Sequence, residues 1–235
     1  MSFSPADNIQ DLQNFGEFGG VNPSISDSST YTFMAAKTMA DTFEGNTDGC
    51  HLYSRHTTPS NLCLGEALAA MEGTETANVS ASGMGAITPV LLQLCGAGDH
   101  IVSSRTIYGG TYAFLKNFTP RLAIQTSFVD ITNLEIVEAA ITENTKVLYC
   151  ESVSNPLLEV ANIKGLAALA KKYSLTLVVD NTFSPLSISP AKLGADVVIH
   201  SLTKFINGTS DTMGGVVCGS ADFVNSLKSV IDGAS

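Results

Sequence analysis

Short runs of aliphatic and β-branched residues alternate with helical patterns from about residue 60 to the end of this chain, and that alternation leaves few folds open. Strands are expected near 76–81, 100–104, 124–129, 146–151, 175–180, 196–200 and 214–219, and helices near 60–72, 84–95, 111–118, 133–141, 162–173 and 222–232. Runs such as Leu175-Thr176-Leu177-Val178-Val179 and Asp196-Val197-Val198-Ile199 have the near-continuous apolar pattern of buried strands. Strand and helix in turn, with no internal repeat or low-complexity linker, predict an α/β domain: a mostly parallel seven-stranded sheet with helices on both faces. Residues 1 to 50 show no sustained helical or strand period and are rich in Asp, Asn, Ser, Thr and Gly.

In such a sheet, ligands bind at the carboxyl ends of the strands, so the residues that end each apolar run carry the functional information. One run ends at Asp180-Asn181-Thr182 and another leads into Ser201-Leu202-Thr203-Lys204-Phe205. A lysine held at a strand end among apolar groups is a candidate Schiff-base former, because desolvation favours the neutral amine that attacks a carbonyl. Alone, Lys204 reads as a surface lysine whose stem covers Phe205, and Asp180 as a turn cap; adjacent strands ending in both point to one site. The segment Ser82-Gly83-Met84-Gly85-Ala86 joins a strand to a helix start, where backbone N–H groups make an anion cradle. Gly83-x-Gly85 also raises a dinucleotide site, but Thr88 and the lack of an acidic residue some 20 positions on argue against it. Anion cradle, hydroxyls at Ser201 and Thr203, carboxylate and amine together form the set that pyridoxal phosphate requires, and Tyr108 is placed to stack on its ring.

The chain resembles the pyridoxal-phosphate-dependent enzymes of cysteine and methionine metabolism. The resemblance rests on Tyr53-Ser54-Arg55, Ser82-Gly83-Met84-Gly85-Ala86-Ile87, Tyr108-Gly109-Gly110-Thr111, Glu151-Ser152 with Asn155-Pro156, Asp180-Asn181-Thr182-Phe183, and Ser201-Leu202-Thr203-Lys204 with Asn207-Gly208, in family order from about residue 17 onward. It implies the large domain of a fold-type-I transferase over 59–235, preceded by an arm over 1–58 that contacts a partner subunit. A smaller C-terminal domain, which in the family grips the substrate carboxylate, is expected to be missing from this chain. It also implies that Lys204 holds the cofactor as an internal imine, Asp180 pairs with the pyridine nitrogen, and Asn155 lies near the ring hydroxyl. Gly83, Met84, Ser201 and Thr203 would bind the phosphate, Tyr108 would stack on the ring, and Tyr53 and Arg55 would reach the phosphate of a neighbouring subunit in a homotetramer, a dimer of dimers.

The activity so implied is a lyase or transsulfuration reaction at a carbon–sulfur bond of methionine, cystathionine or a related amino acid, with Lys204 as base and Tyr108 as the acid for a departing thiolate. Sulfhydrylase or γ-synthase replacement on an activated homoserine is the alternative; a non-catalytic relative or inactive fragment, and an NAD-binding oxidoreductase, are the rivals outside the class. Gly110 stands where methionine γ-lyases often carry cysteine, and His56-Thr57-Thr58-Pro59 and Thr209 also depart from the usual pattern.

A net charge of -10 with 12 Lys plus Arg excludes binding to nucleic-acid backbones. No apolar run reaches the roughly 20 residues of a membrane span and the start resembles no signal peptide, so a cytoplasmic protein without membrane partners is expected. Cys50, Cys63, Cys95, Cys150 and Cys218 show no C-x-x-C spacing and are expected as reduced structural thiols. His51, His56, His100 and His200 have no metal-ligand spacing and are expected to be local hydrogen-bonders, with His200 facing away from Ser201.

Overall fold

The computed structural model describes residues 3–12, 16–44 and 49–234. Seven strands form one sheet: β1 (Thr76–Ser80), β2 (His100–Ser104), β3 (Gln125–Val129), β4 (Thr145–Glu151), β5 (Thr176–Asp180), β6 (Val197–Ser201) and β7 (Gly215–Gly219), in the spatial order β1-β7-β6-β5-β4-β2-β3. The pairs from β6 through β3 are parallel, whereas β7 runs antiparallel to both β6 and β1. The mostly parallel seven-stranded sheet foreseen from the alternation is present, with each strand within two residues of its expected place.

Helices α3 (Pro59–Glu72), α4 (Gly83–Leu94), α5 (Gly109–Ala113), α6 (Leu134–Ala139), α7 (Ile163–Tyr173) and α8 (Ala221–Ala234) fill the connections. Their ends follow local chemistry. The Thr58 hydroxyl accepts from the Asn61 amide, with Pro59 at the first helical position, and Gly73 stops α3 in the left-handed region at φ 70°. The sheet is buried on both faces. Val102, Leu148, Cys150, Leu177, Val179, Val198, Val216 and Cys218 pack with Leu68 of α3 and Leu166 of α7. Residues on the alternate face, among them Ile101, Val147, Tyr149, Val178, Val197, Ile199 and Val217, pack with Ala86, Val90 and Leu91 of α4 and Leu227 of α8.

The N-terminal segment, expected as an extended arm without sustained period, contains two short helices: α1 (Pro5–Asp11) and α2 (Ala36–Phe43). Helix α1 is capped by the Ser4 hydroxyl, which accepts from the Asp7 amide, and has Pro at its start. Ile9 packs on the core and the Asn8 side chain donates to the Ala70 carbonyl, so a helix of about two turns is stabilised by docking on α3 rather than by its own period. Positions 1–2, 13–15 and 45–48 of the expected arm, and position 235, lie outside the described residues.

Beneath the carboxyl ends of β5 and β6 lies a buried polar network. Glu72 Oε1 contacts His200 Nε2 at 2.6 Å and accepts from Asn181 Nδ2 at 3.0 Å, while the Ser189 hydroxyl donates to the Glu72 carbonyl at 2.6 Å. Glu72, His200 and Asn181 are all essentially without solvent exposure. His200 therefore faces away from Ser201, as the strand alternation predicts. Removing Glu72 leaves two buried polar groups without their partner. Glu72→Ala should lower the unfolding free energy by roughly 2–5 kcal/mol in urea titrations; a change under about 0.5 kcal/mol would show the network to be dispensable.

Candidate active site

The strand order reverses direction of winding between β4 and β2, and the carboxyl ends of the parallel strands open there onto a cleft of about 760 Å³. Because β7 is antiparallel to β1 and β6, the carboxyl end of β1 and the amino end of β7 share this edge: Ser80 and Ser201 both pair with Gly215. The topology thus brings to one place the loop after β1, the loops after β2 and β4, the end of β5 and the turn after β6.

Gly83, Met84, Tyr108, Asn155, Asp180, Ser201, Thr203 and Lys204 all line the cleft. Eight of the residues singled out in the sequence are therefore in one hollow, contributed by five separate segments. Helix α4 points its amino terminus into it. The Ser82 hydroxyl caps the helix by accepting from the Gly85 amide at 3.0 Å, leaving the Gly83 and Met84 amides in the first turn, whose donors have no intrahelical acceptor. Gly83 is required by proximity: a Cβ there would stand 2.8 Å from Ser201 Cβ and 2.9 Å from Ser201 Oγ. Thr203 is fixed by exchange with Gly214, accepting from its amide at 3.1 Å and donating to its carbonyl at 3.3 Å.

Asp180 is buried at 6% exposure. Burial raises its carboxyl above the ordinary value, against the opposing pull of the Thr182 hydroxyl and amide. The Thr182 amide donates to Asp180 Oδ1 at 2.9 Å, and the Thr182 hydroxyl accepts from the Ser201 amide at 2.7 Å, tying the ends of β5 and β6 together. Tyr108 is half exposed, and its ring lies against the backbone at Gly110, where a Cβ would meet the ring at 2.5 Å. Asn155 sits in a hairpin closed by a Val153–Val160 bridge and fastened from outside by Arg105, which contacts Asp130 at 2.7 Å and Glu159 at 3.2 Å.

Lys204 differs from the desolvated lysine expected from its apolar neighbours. It sits in the turn after β6 and is exposed, and Phe205 beside it, itself 58% exposed, packs edge-on against Phe183. Tyr53 and Arg55 are not in this cleft. The Arg55 guanidinium lies 5.6 Å from the Tyr53 ring centroid, and Arg55 lines a neighbouring hollow of about 900 Å³ with Ser54, His56, Asn78 and Thr88. His100 makes local hydrogen bonds to Thr145 and Ser127. Among the described residues no group of His, Cys, Asp or Glu has metal-holding geometry, and the five cysteines are free thiols.

Three participants were not singled out by residue type. Glu151, at 8% exposure in the cleft, accepts from the Tyr108 amide at 2.6 Å and from the Asn155 amide at 3.0 Å. Burial, with the Asp180 charge beside it, pushes its carboxyl up to about 7. Thr182 and Phe183 also line the cleft, alongside Ile87, Val153 and Met213. The signal for Glu151 was present: a carboxylate ends the apolar run Val147-Leu148-Tyr149-Cys150 just as Asp180 ends its own.

The donor set suits a ligand with a phosphate, a basic ring nitrogen and an amine-reactive carbonyl. Amides and hydroxyls cluster at the α4 terminus, a buried carboxylate lies deeper, and an amine lines the same cleft. Pyridoxal phosphate fits these residues.

Comparison with known proteins gives the same reading. The chain is 49% identical to a methionine gamma-lyase of Arabidopsis thaliana over 98% of its own length and 54% of that protein's. It is 43% identical to an O-succinylhomoserine sulfhydrylase of Pseudomonas aeruginosa over 81% of this chain and 47% of the other. A crystal structure from Campylobacter jejuni, described as an O-acetylhomoserine (thiol)-lyase with N′-pyridoxyl-lysine-5′-monophosphate, superposes with a TM-score of 0.88 at 31% identity, covering 96% of this chain and 56% of that one. The chain thus spans about half the length of the relatives it matches. The family model for Cys/Met metabolism PLP-dependent enzymes matches residues 7–233, and to that family this chain belongs.

Proposed function

We propose that these residues form the cofactor-binding part of a pyridoxal-phosphate-dependent enzyme that breaks a carbon–sulfur bond in methionine, cystathionine or a related amino acid. The observation that carries the reading is the convergence of Lys204, Asp180, Tyr108, Asn155 and the α4 amino terminus on one cleft in a chain of this family. The 49% identity to a methionine gamma-lyase favours elimination. Replacement of an activated homoserine's leaving group is the second reading, favoured by the identity to a homoserine sulfhydrylase and by Gly110.

In this reading the Gly83 and Met84 amides with Ser201 and Thr203 hold the phosphate, Asp180 faces the ring nitrogen, Asn155 the ring hydroxyl, and Tyr108 covers the ring. The bound cofactor supplies an electron sink for negative charge developing at the substrate's α-carbon. Asp180 would keep that sink effective: its carboxylate, costly to ionise when buried alone, would favour a protonated ring nitrogen. Lys204 Nζ would anchor the cofactor, and as a free amine it would take the substrate's α-proton. The Tyr108 hydroxyl delivers a proton to the departing sulfur.

The domain assignment belongs to the same proposal: an arm over 1–58, a cofactor domain over 59–235, and a homotetramer in which Tyr53 and Arg55 serve a neighbouring site. Support comes from the placement of Arg55 outside this chain's own cleft and from the exposed Phe18, Ile25 and Met34 along the arm. No helix among the described residues is long and apolar enough to cross a membrane; the free cysteines support the reading of a cytoplasmic enzyme.

Borohydride reduction after incubation with pyridoxal phosphate should leave a pyridoxyl adduct on the peptide bearing Lys204, detected by mass mapping, and none in Lys204→Ala. An unmodified Lys204 would sink the cofactor reading. Tyr108→Phe, which removes the hydroxyl and keeps the ring, should reduce turnover of the full-length enzyme on the order of 10²-fold with the adduct retained; unchanged turnover would remove the Tyr108 hydroxyl from the chemistry. Full-length Lys204→Ala and Arg55→Ala subunits, each inactive alone, should regain activity when mixed into common oligomers, since one site type then has both residues intact. Absence of rescue in verified mixed oligomers would place Arg55 outside the shared site.

A further inference from the structure

Glu151 is a buried carboxylate with no place in the chemistry outlined above, yet it touches two of its parts. Its Oε1 accepts from the Tyr108 amide at 2.6 Å and its Oε2 from the Asn155 amide at 3.0 Å. Tyr108 follows β2 and Asn155 follows β4, so the two loops that reach over the cleft from adjacent strands hang from the two oxygens of one side chain. We propose that Glu151 is a positioning residue, an ionised bidentate acceptor that sets Tyr108 and Asn155 at their working places over the cleft. The roles of those two residues are taken from the proposed function; the coupling between their loops is not.

A carboxylate can accept both amides at once, whereas a carboxyl or a carboxamide presents one good acceptor and a donor in place of the other. The bond to Tyr108, shorter than an ordinary amide–oxygen contact, is the form expected of a charge-assisted bond. Asp180 faces Glu151 from the neighbouring strand, at the paired register position. Tyr149 and Cys150 lie on its own strand, and Tyr108 and Lys204 line the same cleft from two further loops. Burial and Asp180 raise the Glu151 carboxyl to about 7. Two opposite consequences follow. A carboxyl raised above its unfolded value contributes stability that is present at low pH and lost as pH rises through about 7. The latch itself needs the ionised form and loosens as pH falls through the same range. A side chain retained for stability alone would not carry this conflict.

The test is amide exchange by NMR on the chain and on Glu151→Gln, without cofactor, at about pH 6 and about pH 8, corrected for intrinsic exchange. In the parent chain the Tyr108 and Asn155 amides should be roughly fivefold or more better protected at the higher pH, the effect of one hydrogen bond. In Glu151→Gln both should be less protected at the higher pH and the pH dependence should vanish, with a thermal midpoint there no lower than the parent's. Protection of those two amides that is equal at both pH values in the parent overturns the proposal, even if the variant fails to fold. So does a Gln variant that loses protection uniformly along the chain with a lowered midpoint, which would make Glu151 structural. Because the readout needs no cofactor, its failure is separable from an unmodified Lys204 in the borohydride experiment.

Discussion

Glu151 and Asp180 stand side by side at the ends of β4 and β5, in paired register, and both are buried. Nothing in the packing of an α/β sheet calls for two carboxylates there. Each strand has an apolar interior for its other residues, and burial disfavours the ionised form of both acids. The pair persists because the surrounding backbone is arranged around it: two amides converge on Glu151, and the amide and hydroxyl of Thr182 turn toward Asp180. Those amides belong to the loops that bear Tyr108, Asn155 and the link to Ser201. The shape of the cleft and the solvation of its acids are therefore one arrangement, and either would be lost with the other.

Such a design separates the two acids by what faces them. Glu151 is met by neutral amides already within the chain. Asp180 has hydroxyl and amide donors on one side and opens to the cleft on the other, so a cationic ligand group gains most by approaching it. The Glu72–His200–Asn181 network below holds Asn181 and the end of β6 without entering the cleft. Alternation along a strand makes this division possible, since Asp180 and Asn181, or His200 and Ser201, send consecutive side chains to opposite sides.

The fold was legible because its signals are local and redundant. Apolar runs such as those of β4, β5 and β6, separated by amphipathic segments, specify buried strands, and all seven strands were found within two residues, the more polar edge strands β1 and β3 included. The cleft was legible at Asp180 and at Gly83-Met84, where a polar group interrupts an apolar run at the functional edge. Lys204 was found in its place but not in its surroundings: it is exposed, and Phe205 beside it packs against Phe183, a contact that joins residues far apart in sequence. Helix α1 was missed because seven residues carry too little period, and its stability comes from α3 more than fifty residues away. Glu151 was visible as a residue type and invisible as a role, since accepting two loop amides is a property of the closed loops and not of the strand.

The placement of Gly110 bears on specificity in the same physical terms. The Tyr108 ring occupies the space a side chain at 110 would need, with a ring carbon 2.5 Å from the position of a Cβ. A relative with cysteine at this position must carry its tyrosine elsewhere, by a shift of the ring or of the loop. The tyrosine's placement relative to the cleft is then set jointly by a glycine two residues on, which admits the ring, and by Glu151, which fixes the amide at its base. On the proposed reading, the reach of the Tyr108 hydroxyl over the cleft is therefore set by backbone space at Gly110 and by the hold on its own amide, without any change of functional group.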